Sequence, residues 1–521
     1  MAKQLVSSPL ENLGINGLNT QYNPATLDPA WLTSADNIMI RESGRISFRK
    51  GLKQKVVPSG VAIGSMVEHN DQGTNKIFAS HGTSIYTMDF TSPNAAFPSS
   101  GADVKHTVGS TTGNWQFVNF NNRLHCFHTG VIPQRYDGSL GSGAKWTAHA
   151  TDPASITTLF DPSCGMGFYG RLWVGGVTEA PDVVYYSVLL DGDDWTGTGT
   201  GFIDLKTVWG TDEIVHIAAF FGKLVIFGKN NIAIYDTPDD ATNMSLNEVV
   251  SGVGLVNRDT VQAIGDDLVF LSNTGLRSLN RTTEKDKLPL IDYSVNIKDT
   301  LIRNIGQSTE VKSVYLVNEG VYLLTFTATN ITYAFDFKQF TPNETPRVTT
   351  WSFDTDREPA SMIDTKLYSG LLVGQKDGSI AGYEGYFDTD LAWVSSAASY
   401  TNASYTADIS SIWIKLGEGI AALLKRMVLV LEGGSGAVMG IRWFKDFSPS
   451  SSTTTYINLR PVTTGTTSLW GASSSLFGAT TATHTHVAAT HPANSTYTPI
   501  YGLREYKTPL SGSAKHVKLN L

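Results

Sequence analysis

Cysteine is almost absent from this chain: Cys126 and Cys164 are the two in 521 residues. Two thiols cannot build a disulfide framework, so stability has to come from packing and assembly. Each sits beside apolar or glycine residues, where a buried, inert thiol is expected. Charge is also sparse, at 17% of residues, and the formal net charge is −8. A protein that clamps nucleic acid needs clustered Lys and Arg to neutralise phosphate, which this balance excludes. Long hydrophobic runs are missing too. The best stretch, Ile420 to Leu431, is broken by Lys425 and Arg426 and falls short of the roughly 18 apolar residues a membrane helix requires. The first residues, Met-Ala-Lys-Gln-Leu-Val-Ser-Ser-Pro, lack the apolar core of a signal peptide. The expectation is a soluble protein made in the cytoplasm.

Enzyme signatures are scarce as well. There is no Walker loop, no Gly-x-Ser-x-Gly elbow and no His-Glu-x-x-His. Asp191, Asp193 and Asp194 crowd one coil segment, Leu190 to Gly201. They lack the fixed spacing and distal Glu of an EF-hand, so a solvated acidic loop reaching beyond the fold is expected. His484, His486 and His491 lie in a Ser/Thr/Ala/His tract running from Ser468 to Thr498, a long surface loop by composition. His-x-His puts two imidazoles on one strand face, but no carboxylate or thiol lies nearby to complete a metal site. No catalytic residue, cofactor or metal ligand is assigned.

What is plentiful is glycine (49 residues) and a repeating hairpin. The clearest copy, Phe221 to Asp236, reads as a short apolar strand, a polar turn and a second strand ending in Tyr-Asp. Weaker copies end near Asp89, Asp137, Tyr186, Asn280, Asp336 and Tyr383, with intervals of 44 to 56 residues. A period of roughly 40–50 residues is the mark of β-propeller blades. One small sheet cannot bury both faces alone, so blades stack around an axis. Nearly continuous apolar runs such as Val215 to Phe220 suit strands covered on both faces.

The fold class expected is all-β: a propeller of six or seven blades over 59–388, a lead segment over 1–58 and an antiparallel β-sandwich over 389–521. Within the lead segment, Leu27 to Asn37 suggests a short helical turn with Asp28 as cap and Pro29 at the first helical position. Asn37 to Gly51 reads as a hairpin turning at Glu42-Ser-Gly44. Arg41, Arg45, Arg49, Lys50, Lys53 and Lys55 make the densest basic stretch. Strand alternation would place Arg45 and Arg49 on one face, either solvated or docked onto an acidic partner. In the C-terminal region, Lys425–Leu431, Ala437–Phe444, Thr453–Leu459 and Lys515–Leu521 are the strand candidates.

Three stretches, in order, resemble one family. They are Gly14 to Pro24 with Ala35-Asp-Asn37 and Gly44 to Gly51; Asp194-Trp-Thr196, Gly201 to Leu205 and Ile214 to Tyr235; and Gly252 to Val256 with Gly265 to Gly275. Together they are similar to the tail nozzle proteins of short-tailed bacteriophages, also called tail tubular protein B or packaged-DNA stabilisation proteins. The match covers about residues 10 to 280, and no single element in it is a catalytic motif. The resemblance implies a virion structural protein, a β-propeller-bearing subunit of a homohexameric ring below the portal and tail adaptor. The ring's channel would retain the packaged viral DNA and conduct it during ejection, and tail fibres or spikes are further candidate partners. An acidic chain suits a lumen past which phosphate slides, and a ring closes through heterologous contacts. The competing readings are a glycan-binding or glycan-hydrolysing propeller of sialidase type and a WD-type scaffold. The first would carry repeated Ser-x-Asp-x-Gly-x-x-Trp turns and the second Gly-His and Trp-Asp signatures, and neither is present.

Overall fold

A computed structural model of the chain describes residues 10–458 and 502–521, apart from 11, 42–43, 89, 91–104, 109–112, 142, 144, 237–242, 280–291, 309, 369, 385–388, 395–398, 417–421 and 434–437. The chain divides into two compact units. The larger comprises residues 16–22 and 52–384; the smaller comprises 1–15, 23–51 and 385–521.

The larger unit is a β-propeller. Its blades are antiparallel meanders that follow one another along the chain. The first runs through Ile63–Asp71, Thr74–His81, Ser84–Met88 and Lys105–Thr107. The second has Gln116–Phe120, Arg123–His128, Val131–Tyr136 and Trp146–Ala148. The third has Cys164–Phe168, Arg171–Gly175, Val183–Tyr186 and Gly201–Asp204. The fourth has Ile214–Phe220, Lys223–Gly228, Asn231–Asp236 and Ser245–Ser251.

A three-stranded meander follows, Gln262–Ile264, Asp267–Ser272 and Gly275–Ser278. Two further four-stranded blades come after it. One is Val311–Leu316, Val321–Phe326, Ile331–Phe340 and Pro346–Trp351. The other combines Pro359–Thr365, Gly370–Gln375 and Ile380–Gly382 with Lys53–Val56 from the chain's beginning. Among the described residues the ring thus holds six four-stranded blades and one three-stranded meander, within the expected range. A cluster of Val56, Ile63, Ile77, Leu372 and Ile380 joins the last blade to the first.

The repeat legible in the sequence is the second and third strand of each blade. Tyr136, Tyr186, Asp236 and Tyr383 fall at or next to the end of a third strand, whereas Asp336 lies in the middle of its longer third strand, Ile331–Phe340; Asp89 and Asn280 lie outside the described residues. The inner hairpins turn tightly because two successive residues take left-handed backbone angles. Asn121-Asn122, Tyr169-Gly170 and Phe221-Gly222 do so, with φ of 46° and 59°, 50° and 69°, and 46° and 72°. Between blades the sheets are dry. Leu224, Ile226 and Ala233 of the fourth blade pack with Cys164, Trp173 and Val184 of the third. Both thiols are buried and free, as expected.

Three expectations are corrected. Leu27 to Asn37 keeps the expected capped turn only at its start, where Asp28 Oδ1 accepts from the Ala30 amide at 2.8 Å, and from Trp31 to Asp36 it is a strand. Trp31 needs an apolar sheet face, which a lone helical turn cannot supply. The strand Lys53–Val56, placed in the lead segment, completes a propeller blade. A ten-residue helix, Lys298–Gln307, also stands within the propeller unit, besides the single helical turn Lys206–Trp209. The longer helix buries Leu301 and Asn304 and lacks a side-chain cap, so Asp299 in its first turn is the one weak start signal in its sequence.

In the smaller unit, Ile38–Ile40 and Ile46–Phe48 form the expected hairpin. Trp31–Asp36 pairs with Asp408–Ser411, and His516–Asn520 pairs with Val438–Lys445. Arg426–Gly433 and Gly502–Pro509 form a separate antiparallel ribbon. Its Met427 and Leu429 pack against Ile441, Trp443, Val517 and Leu519. No described helix is long and apolar enough to cross a membrane.

Candidate functional site

The axis of a propeller is where every inner strand can contribute a side chain, and in this chain it is occupied by charge. The segment entering the three-stranded meander forms a single 3-10 turn, Arg258–Thr260. Asn257 caps it, its Oδ1 accepting from the Asp259 amide at 2.9 Å. The turn is held by its neighbours: Tyr322 donates its hydroxyl to the Thr260 carbonyl and Ser313 donates to the Asp259 carbonyl, both at 2.8 Å.

From this turn Arg258 donates to the carbonyls of Asn114 and Ser163, which lie one or two residues before the inner strands of the second and third blades. Lys312 donates to Asp259 Oδ2 at 2.7 Å and also to Asn114 Oδ1. Ser65 of the first blade reaches the same Asn114 oxygen at 3.4 Å. Residues from widely separated blades therefore meet at one hub.

The electrostatics of the hub follow from that geometry. Burial alone would raise the Asp259 carboxyl, but Lys312 and Arg258 outweigh it and bring its pKa down to about 2. His216, on the inner strand of the fourth blade, is pushed down to about 4, chiefly by burial, with Asp259 opposing and Arg258 reinforcing the shift. At neutral pH the hub holds an ionised carboxylate, two cations and a neutral imidazole. General acid–base work needs a group poised near the working pH, and Asp259 and His216 both stand well below it. The cations are spent on the carboxylate and on main-chain carbonyls. The chemistry suits a pin that fastens blades across the axis.

The acidic coil 190–201 behaves differently from expectation. It turns back into the seam between the second and third blades. Trp195 is buried among Phe127, Phe160, Leu172 and Tyr185. Asp193 is buried and paired with Arg135, and burial lifts its carboxyl above the usual range despite that arginine. Asp194 caps the coil, accepting from the amides of Thr196 and Gly197 at 2.9 and 3.0 Å. Asp191 and Asp194 are partly exposed, and neither reaches out as the solvated loop expected of all three. Closing the seam over Trp195 buries more apolar surface than an outward loop could.

The basic stretch is also dispersed. Arg45 is exposed, whereas the Arg49 side chain is fully buried and bound by Asp390. The strand ends at Phe48, so the alternation that would have put both arginines on one face stops before Arg49. Neither a solvated face nor an external docking site describes it. Lys55 pairs with Glu384 in the propeller unit. His484, His486 and His491 lie outside the described residues. Among the described residues no group of three His, Cys, Asp or Glu side chains is placed to hold a metal ion.

Asn114, Ser163, Arg258 and Lys312 carry no motif and were not singled out in the sequence. One signal was available: Ser65, Asn114 and Ser163 are each 49 residues apart.

No family model matches this chain. No curated protein matches it either. Among solved structures it is similar to the extracellular domain of a hybrid two-component system from B. thetaiotaomicron, with TM-score 0.40 and 10% identity over 76% of this chain and 44% of that one. The chain thus spans less than half of that protein's length. It is also similar to the WD40 domain of Pan2 from Neurospora crassa, with TM-score 0.41 and 8% identity over 65% of this chain and 97% of that one. Both likenesses are loose, and the propeller is read from the strand order itself.

Proposed function

We propose that the chain is a structural virion protein, one subunit of a six-copy, ring-shaped tail nozzle of a short-tailed bacteriophage. In this reading the ring docks below a tail adaptor, carries fibres or spikes, retains packaged DNA and conducts it during ejection. The reading rests first on the ordered resemblance of residues 14–51, 194–235 and 252–275 to that family.

The observation that supports it from the fold is the hub. Lys312, Asp259, Arg258 and Asn114 fill the propeller axis with contacts to one another. A duplex could not pass through a blade ring pinned in this way. In this reading each propeller is a solid wall element, and the channel is built between copies. The same contacts count against the glycan-hydrolase alternative, which would need the arginines and carboxylates at the axis free for substrate. The C-terminal strands, whose ribbon packs through Met427 and Leu429, are taken as a β-sandwich in this proposal.

Negative-stain imaging of the purified protein, alone and with a tail adaptor, tests the reading. Rings with an open centre that stack on the adaptor are expected; dispersed single propellers with no adaptor contact overturn it. Turnover of chromogenic glycosides would favour the glycan alternative.

A further inference from the structure

The inner strands of successive meanders begin at the end of the propeller where Arg258 holds the carbonyls of Asn114 and Ser163. Turns that join a first strand to a second therefore share the opposite face with the loops that join a third to a fourth. Exposed large apolar side chains gather on that face. Tyr169 and Phe221, 52% and 68% exposed, head the first turns of the third and fourth blades. Val317 and Leu367, 67% and 44% exposed, stand in the first turns of the last two blades. Leu189 and Leu190 are exposed in the third-to-fourth-strand loop of the third blade. Among the described residues, no turn from a second to a third strand carries an exposed large apolar side chain. Those turns expose charge instead, as at Glu179, Lys229 and Lys376.

The fold does not require apolar groups at these tips. Tyr169, Leu190 and Phe221 hold φ of 50°, 61° and 46°, a left-handed region that bulky side chains avoid. The second blade meets the same need with Asn121, a residue suited to such a turn. Leu190 N donates to the Gly170 carbonyl at 2.6 Å. A Cβ added at Gly170 would lie 2.9 Å from Leu189 Cδ1. The two leucines therefore stand beside the Tyr169 turn.

Cations among the tips are matched by their own neighbours. Lys223 pairs with Asp236 at 3.1 Å, and Arg123 with Asp137 at 3.0 Å and Asp191 at 3.6 Å. Lys338 Nζ donates to the Asn318 carbonyl at 2.9 Å. The propeller is thus amphipathic through its thickness, with charged turns on one side and apolar tips among paired charges on the other.

The form and charge of the face select its occupant. A groove in a protein receives a contiguous stripe, whereas these tips stand on separate turns, at one height, spaced around a ring. A bilayer surface meets all of them at once. Phe, Leu and Tyr are side chains that settle at the boundary of headgroups and acyl chains. Paired charges make no demand for anionic lipid. We propose that this face of the propeller lies on a bilayer of zwitterionic lipid and inserts Tyr169, Leu189, Leu190, Phe221, Val317 and Leu367 at the headgroup boundary. The inference goes beyond the ring reading and does not depend on it.

Flotation of the intact chain with phosphatidylcholine vesicles tests the inference, and its result stands whatever ring imaging shows. The unaltered protein is expected to float with the vesicles. Salt at about 1 M, where screening acts within about 3 Å, should not release it. Tyr169→Asn with Phe221→Asn gives both turns the residue found at position 121, and should weaken vesicle binding at least about tenfold. Val61→Ser with Ile302→Ser changes exposed apolar groups away from this face and should leave binding as it was. Should the asparagine pair not fold, Val317→Ser with Leu367→Ser reads the same face. An unaltered protein that does not float overturns the inference, as does equal binding by the variants of this face. Binding confined to phosphatidylserine vesicles and lost in salt overturns it too. So does self-association, read by sedimentation, that the asparagine pair abolishes while vesicle binding is absent, which would assign the face to a second copy of the chain.

Discussion

Arg49 and Asp390 face each other as a two-pronged pair, Nη1 to Oδ1 at 3.1 Å and Nη2 to Oδ2 at 3.2 Å, across 341 residues of chain. The guanidinium also donates Nε to Asn37 Oδ1 at 2.9 Å and lies 3.9 Å from the centre of the Tyr405 ring. These contacts are internal to the smaller unit, and they tie the N-terminal hairpin to residues near 390 and 405.

Removing one member of a buried pair leaves an uncompensated charge, and the cost is about 3–5 kcal/mol. Asp390→Ala should therefore destabilise the smaller unit by that order, whereas replacing Arg45, which is exposed, should change little. Denaturant titration of both variants checks this. Equal, small effects would show that the pair is not the fastening it resembles.

Leu224 has no exposed surface and lies between the third and fourth blades. Leu224→Asp would put a carboxylate there with no partner, which costs several kcal/mol or forces the group to take a proton. Loss of soluble expression is the expected outcome. A soluble variant with an unchanged melting temperature would contradict the packing between these blades.

Acid should weaken the propeller in two ranges. His216 titrates at about 4 when folded, against an ordinary 6.5, so the unfolded chain binds the proton first. Stability is then full above 6.5 and falls as the pH drops toward 4. Asp259, held at about 2 against an ordinary 3.8, contributes above 3.8 and loses that contribution as the pH falls through 2. Lys312→Met should remove the main support of Asp259, cost about 2 kcal/mol and move this lower acid edge upward. Melting curves from pH 7 to pH 2 read both effects.

The two thiols should be inert. Burial pushes Cys164 to about 12 and Cys126 well above its ordinary value, and the thiolate is the reactive form. Mass spectrometry after iodoacetamide at neutral pH should find both unmodified in the native protein and both alkylated in denaturant. Rapid native labelling of either would place it outside the blade core.

The blade hairpins were legible because their information is local. A strand, a tight turn and a returning strand ending in Tyr and a polar residue recur within sixteen residues, as from Phe221 to Asp236. Alternation and turn chemistry act over that range. The sequence by itself therefore determined the all-β class, the period and the position of the paired strands. The inner strands were less visible, since burial on both faces erases alternation.

Tertiary structure alone decided the rest. Lys53–Val56 reads as the end of a basic stretch in the lead segment until Ile380–Gly382 arrives beside it. Arg258 and Lys312 are unremarked single charges until ring closure sets them against Asn114 and Asp259. Asp193 and Trp195 read as loop until the seam between two blades offers them Arg135 and His149. The physical reason is common to all of these. Hydrogen bonds and ion pairs act over a few ångströms of space, and only the closed ring brings together residues separated by dozens to hundreds of positions in the chain.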